Sequence, residues 1–152
     1  MINAITVGNS ILLRAFNENI DITPMKLQKL IYFTYQSYLR KTGMPLFEEK
    51  FETWKYGPVL PSIYHEFKKY GSNTIREYGK EYDRKTILTV DEEQSPIFKS
   101  ILDHIWDTCK TLDGIYLSSL THKPESAWSK ALSRESNYLS DEDIKSEVIH
   151  FG

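Results

Sequence analysis

The sequence of 152 residues contains a single cysteine, Cys109, so an intrachain disulfide is excluded. It lacks an apolar run of the roughly 18 residues that a transmembrane helix requires, and its N-terminus lacks the basic and apolar regions of a signal peptide. A chain of this length buries enough surface to fold without a disulfide or a metal. We therefore expect one cytoplasmic domain that spans residues 1–152.

An excess of positive charge is also missing. The chain carries 19 Lys and Arg against 21 Asp and Glu, a net charge of −2, whereas dedicated nucleic-acid binders are usually basic. The composition thus argues against a nucleic-acid partner. The charge is unevenly distributed, however, because residues 1–90 have 13 basic and 9 acidic side chains and residues 91–152 have 6 and 12. One basic binding surface and two opposed faces are both compatible with this asymmetry.

Motifs for catalysis and for cofactor binding are lacking as well. The seven glycines are scattered, so they form no phosphate-binding loop, and no serine stands in a nucleophile-elbow pattern. The four histidines are far apart, and none has a second His or Cys at metal-ligand spacing. Cys109 could pair with His104 or His122, but it lies on the apolar face of a predicted helix, where a buried inert thiol is expected. We predict no enzyme activity, no cofactor and no metal site.

Helical periodicity and capping signals are what the sequence does contain. Thr23 and Pro24 predict the start of a long helix, because Thr caps free amides and Pro at the first helical position has no amide to satisfy. This helix covers about residues 24–42, and its broad apolar arc is typical of a central helix. Another helix, at about residues 3–18, has a polar middle. Further helices are predicted at about residues 61–71, 96–112, 115–120 and 140–150.

Two segments favour extended structure. Residues 46–56 alternate aromatic and charged side chains, and Ile87–Val90 is the best strand candidate between residues 75 and 90. We predict a small antiparallel sheet or hairpin from residues 46–56 and 75–90. The fold class is therefore α+β, mainly α, with five to six helices around the central helix.

Seven residues are candidates for partner binding. On the central helix, Lys29, Gln36 and Arg40 form a polar stripe that is predicted to face outward, flanked by Tyr32. Trp and Tyr supply large rigid contact area with a polar tip, which suits a binding surface and equally suits a core. For Trp54 the core interpretation is favoured, whereas Lys55 and Tyr56 are the better surface candidates. The seven candidates are Lys29, Tyr32, Gln36, Arg40, Trp54, Lys55 and Tyr56.

Several stretches together carry a family resemblance. They are Met25–Phe33 (MKLQKLIYF), Leu46–Phe47, Trp54–Val59 (WKYGPV) followed by Pro61, the helix Ile63–Tyr70, and Leu120–His122 before Trp128. With these motifs the sequence resembles the SocA-like, phage-associated Panacea domain family, also called GepA-like, over about residues 2–150. Ala127 stands where the family often has Pro directly before the Trp.

The resemblance implies a bacterial or prophage antitoxin that neutralises a toxin by direct protein binding. The toxin is often encoded beside it, and one family member is described as an adaptor that delivers its toxin to a protease. No catalytic activity comes with the family. The residues alone leave two alternatives. A winged-helix DNA-binding regulator is compatible with the predicted hairpin and the basic residues 1–90, and a small hydrolase would need a pocket that contains His104, Cys109 and His122.

Overall fold

A computed structural model describes residues 2–152 of the chain. In this range the chain forms seven α-helices, one 3₁₀ helix and a two-stranded antiparallel sheet. The elements in chain order are α1 (Ala4–Glu18), α2 (Pro24–Thr42), β1 (Glu52–Trp54), β2 (Gly57–Val59), α3 (Pro61–Phe67), the 3₁₀ helix (Lys68–Tyr70), α4 (Pro96–Cys109), α5 (Gly114–Thr121), α6 (Ala127–Ser133) and α7 (Asp141–Ser146). The predicted mainly helical α+β fold is confirmed, and the six α-helices besides α2 agree with the predicted five to six around a central helix.

The central position of α2 is also confirmed. The Thr23 hydroxyl accepts a hydrogen bond from the Lys26 amide, and Gly43 ends the helix in the left-handed conformation with φ of 75°. Between these caps α2 packs against α1, α3, α4, α5, α7 and β2. Because neighbours surround it on so many sides, polar side chains of α2 are buried along with its apolar ones.

The polar middle of α1 anchors the segment between residues 75 and 90. The Asn9 amide nitrogen donates to the carbonyl oxygens of Gly79 and Leu88, and its oxygen accepts from the Gly79 amide. The Ser10 hydroxyl accepts from the Val90 amide. Side chains thus satisfy backbone groups of this segment that a strand partner would otherwise bind.

The predicted pairing of residues 46–56 with residues 75–90 is therefore wrong. β1 pairs instead with β2, which follows it after two residues, in a register that places Trp54 opposite Gly57. Ile87 and Leu88 are about half exposed and lie outside any strand. The other edge of β1 is covered by the chain after α6, because the Thr53 amide donates to the Asn137 carbonyl.

The remaining helices lie close to their predicted positions. Pro61 and Pro96 each occupy the first turn of a helix, and Ser140 caps α7 by accepting from the Asp143 amide. α7 ends at Ser146, earlier than predicted, and the chain continues without helix. None of the helices in residues 2–152 is both long and apolar enough to cross a membrane.

Candidate functional site

The β1–β2 hairpin exposes a two-residue turn. Lys55 and Tyr56 connect the strands, and both side chains are exposed, whereas Trp54 is partly buried. Gly57 follows with φ of 110°, a conformation that side chains with a Cβ rarely adopt. A Cβ at this position would lie 2.5 Å from the Thr121 hydroxyl oxygen, so only glycine allows α5 to approach the hairpin this closely.

Side chains from three helices bind the backbone of Trp54–Pro58, which we call the turn segment. Four of its carbonyl oxygens have a side-chain partner within hydrogen-bonding distance. The contacts are Trp128 Nε1 to the Trp54 oxygen at 2.7 Å, His122 Nε2 to Lys55 at 3.0 Å, Ser118 Oγ to Tyr56 at 2.6 Å and Lys29 Nζ to Pro58 at 3.0 Å. The His122 ring also packs against the Trp128 ring, with 4.2 Å between the ring centres. The backbone of the turn segment is thereby held in one conformation.

Lys29 lies beneath the hairpin and not on the surface. Only 1% of the residue is exposed, so the prediction that it faces outward is wrong. Burial lowers the pKa of the Lys29 amine to about 7. The neighbouring Gln28 binds the chain between β2 and α3, since its side-chain amide donates to the Leu60 carbonyl and accepts from the Leu60 backbone amide. A lysine is tolerated here because the Pro58 carbonyl accepts its hydrogen bond.

The other end of the predicted polar stripe binds the C-terminal part of the same chain. Gln36 is buried, contrary to the prediction, and its amide donates to the carbonyl oxygens of Ile144 and Glu147. Arg40 is exposed as predicted, although its guanidinium also donates to the Glu147 carbonyl at 2.9 Å. The Tyr32 hydroxyl is buried and donates to the Glu147 carboxylate at 2.5 Å. The C-terminal part of the chain thus covers Gln36 and leaves Arg40 exposed.

Beside the turn segment lies an open groove of about 400 Å³, between α2, the hairpin and α3. Apolar and aromatic side chains dominate its walls, among them Met25, Trp54, Val59, Ile63 and Tyr64. The Trp54 and Tyr64 rings pack edge to face, with 4.9 Å between their centres. The exposed turn and this groove form one continuous surface, because Lys55 and Tyr56 also line the groove.

Comparison with known proteins shows where this arrangement belongs. Residues 27–129 match the family described as "Antitoxin SocA-like, Panacea domain". The chain belongs to this family. A 74-residue stretch is 39% identical to the protein "Antitoxin SocA" of Caulobacter vibrioides (strain NA1000 / CB15N), which covers 49% of this chain and 39% of that relative. The chain thus spans well under half the length of this curated relative. No solved structure matches the chain.

The family match includes every side chain that binds the turn segment. Lys29, Ser118, His122 and Trp128 all fall within residues 27–129 of the SocA-like Panacea domain. Most of the motifs that carried the resemblance are far apart along the chain, yet they converge on this one hairpin; Phe47 of the Leu46–Phe47 motif instead packs against Tyr35 and Phe51. Ser118 was not among the predicted site residues, and neither Met25 nor Tyr64 was assigned to a surface. A single exposed tyrosine or a serine in a helix carries no sequence signal of such a role.

Cys109 has the properties of a buried structural thiol. It is fully buried, and burial raises the pKa of the thiol to about 12, whereas reactive cysteines have lowered pKa values. Across residues 2–152, His, Cys, Asp and Glu side chains form no group of three or more that could hold a metal ion. The arrangement that the Panacea domain does present is a rigid turn beside an apolar groove, which is suited to binding.

Proposed function

We propose that this protein is an antitoxin that neutralises a partner toxin by direct protein–protein binding, and that the Lys55–Tyr56 turn with its adjoining groove makes the contact. The observation that carries the proposal is the set of hydrogen bonds that holds the turn segment while Lys55 and Tyr56 stay exposed. A binding loop that is already ordered loses little conformational entropy when a partner binds. Tyr and Trp at such a position supply the anchors that dominate interface energetics.

Of the seven candidate residues, Trp54, Lys55, Tyr56 and Arg40 retain exposed or partly exposed surface. Lys29 supports the contact indirectly, because its amine holds the Pro58 carbonyl beneath the turn. Tyr32 and Gln36 support the fold through the C-terminal part of the chain. We therefore centre the proposed binding surface on the hairpin and leave Arg40 at its periphery.

The winged-helix alternative receives less support from this arrangement. A wing that reaches DNA needs a projecting hairpin, whereas this hairpin has three-residue strands and packs against α2, α5 and α6. A regulator would also bind DNA in a strongly salt-dependent way. Titration of the purified protein with duplex DNA at two salt concentrations tests this alternative directly.

The experiment that tests the proposal is co-expression with the product of the neighbouring reading frame in a bacterial host. We expect protection from growth arrest that depends on the ratio of the two proteins, and a complex of fixed stoichiometry after purification. Protection without a complex would contradict direct binding. A control with an inactive partner variant separates toxicity from the burden of expression.

Occlusion and proteolytic delivery are distinguished by repeating the co-expression in a protease-deficient host. An occluding antitoxin protects equally well in that host, and the toxin level stays constant. A proteolytic adaptor loses protection there, and in the normal host it removes the toxin at substoichiometric amounts. Protection at a small fraction of one antitoxin per toxin in both hosts would instead indicate catalytic turnover and would overturn the proposal.

A further inference from the structure

The accessible charge at the groove is positive. The exposed charge that lines it is Lys55 at its rim, the Lys29 amine in its floor is buried, and none of the residues described along its walls is Asp or Glu. Glu52 lies nearby on β1, but its carboxylate accepts the indole hydrogen bond of Trp54 at 2.8 Å. The groove is therefore an apolar site with a positive edge.

The hydrogen-bonding capacity around the groove is only partly used. The Lys29 amine is buried and already donates to the Pro58 carbonyl, so it is not available to a ligand. Lys55 is exposed, and its amine lies 5.5 Å from the centre of the Tyr56 ring. Gln28 also lines the groove, but both ends of its amide are bound to Leu60. The free capacity is thus that of the Lys55 ammonium group, which has three donors.

A second, larger cleft carries charges of both signs, since Lys80 and Arg84 line it as well. Three glutamates line this cleft of about 600 Å³, and each already has partners within the chain. Glu49 accepts from the Ala4 amide, Glu66 from Arg84 and Glu81 from Asn3. A ligand that binds in this cleft would have to displace these contacts. In the groove beside the turn, a ligand that pairs with Lys55 at the rim has no such contact to displace.

We propose that the groove receives a segment of the partner protein in which an apolar side chain stands beside an Asp or Glu. The apolar side chain packs against Met25, Val59 and Tyr64, and the carboxylate pairs with Lys55 at the rim. A volume of about 400 Å³ suits one or two side chains of such a segment. This inference rests on the proposed function, because it names the chemistry of the partner that the antitoxin binds.

The test uses a phage-displayed library of random 12-residue peptides, selected on the full-length protein. We expect enriched peptides in which Leu, Met, Phe or Trp is adjacent to Asp or Glu. Synthetic peptides of this type should lose about tenfold or more in affinity on Lys55→Glu, and a matched Lys85→Glu variant, whose exposed side chain lies outside the groove, should bind normally. Selection of basic or wholly polar peptides would overturn the inference. Selected peptides that bind Lys55→Glu and Lys85→Glu with equal affinity would also overturn it.

Two further variants locate the contact. Met25→Glu places a negative charge in the groove at the second position of α2, where the helix dipole favours an acidic residue, so the fold is retained. It should weaken the binding of acidic peptides, as Lys55→Glu does. A peptide with its acidic residue changed to Lys should recover binding to Lys55→Glu and lose it on the native protein. Unchanged binding in both cases would show that the peptide binds elsewhere, and would refute the groove as its binding site.

The same variants separate this inference from the proposed function. If Lys55→Glu and Met25→Glu still form the toxin complex with native affinity, the groove is not the contact, although the protein remains a binding antitoxin. If no toxin complex forms with the native protein, the proposed function itself fails. A self-association that depends on protein concentration and is abolished by Lys55→Glu would identify a second copy of this chain as the occupant and would also overturn the inference.

Discussion

The side-chain amine of Lys29 donates a hydrogen bond to the carbonyl oxygen of Pro58 at 3.0 Å, which connects the N-terminal half of α2 to the second strand of the hairpin. Lys29 is almost completely buried, and Gly57 lies directly above its side chain. A cation in this position is costly to desolvate, so its presence is a property of the site and not of a solvated helix face. This one contact joins two motifs that are separate in the sequence.

The lowered pKa of Lys29 makes stability depend on pH. The unfolded chain keeps this proton up to pH 8.5, whereas the folded chain loses it near pH 7, so folding becomes more favourable as the pH rises. We expect the native protein to gain about 1.5–2 kcal/mol over Lys29→Met between pH 7.0 and pH 8.5. Urea unfolding at both values measures this difference. A stability difference between the native protein and Lys29→Met that is the same at both pH values would contradict this prediction. An equal pH-dependent difference between the native protein and a Lys85→Met control would also contradict it.

Gly57 should not tolerate a side chain. Gly57→Ala combines a positive φ with a Cβ only 2.5 Å from the Thr121 hydroxyl, and we expect a loss of at least about 2 kcal/mol in the free energy of unfolding. Gly43→Ala is the matched control, because φ is positive but nothing lies within 4 Å, and it should lose about 1 kcal/mol. In the double variant with Thr121→Ala the losses should be less than additive. Equal losses for the two glycines would show that the close approach is unimportant.

The hairpin residues should separate folding from binding. Lys55→Ala and Tyr56→Ala remove exposed side chains, so their stability should stay within about 0.5 kcal/mol of the native protein. Trp54→Ala loses packing against Tyr64 and should cost about 2 kcal/mol, because the ring is only partly buried. Toxin binding by calorimetry should fall about tenfold or more for Tyr56→Ala. Native binding by the Lys55 and Tyr56 variants would exclude the turn from the interface.

Glu147 predicts a second pH dependence, of opposite sign. Burial raises the pKa of its carboxyl above 4.5, although hydrogen bonds from Tyr32 and the Ala127 amide act against this. The stability contributed by the protonated carboxyl is present below pH 4.5 and is lost as the pH rises. The native protein should therefore lose stability relative to Glu147→Gln between pH 4 and pH 7. Denaturant unfolding measures this, and exposed Glu48→Gln should show no such trend.

The helices of this protein could be read from the sequence because their signals are local. Thr23, Pro24 and Gly43 bound α2 through contacts with residues at most four positions away. The same holds for Ser140 at the start of α7. Local signals also placed Cys109 correctly on a buried apolar face. Strand propensity was misleading at Ile87–Val90, where side chains of Asn9 and Ser10 bind the backbone and a second strand does not.

The environment of the polar stripe on α2 could not be read in this way. Helical spacing indicates the direction in which Lys29 and Gln36 point, but it carries no information about what packs against them. Their partners, Pro58 and Glu147, lie 29 and 111 residues further along the chain. Burial of a polar side chain is favourable only when such a distant acceptor is supplied. The bounds of α2 thus depend on residues that are near one another in the sequence. Whether its polar stripe is exposed or buried depends on the three-dimensional packing.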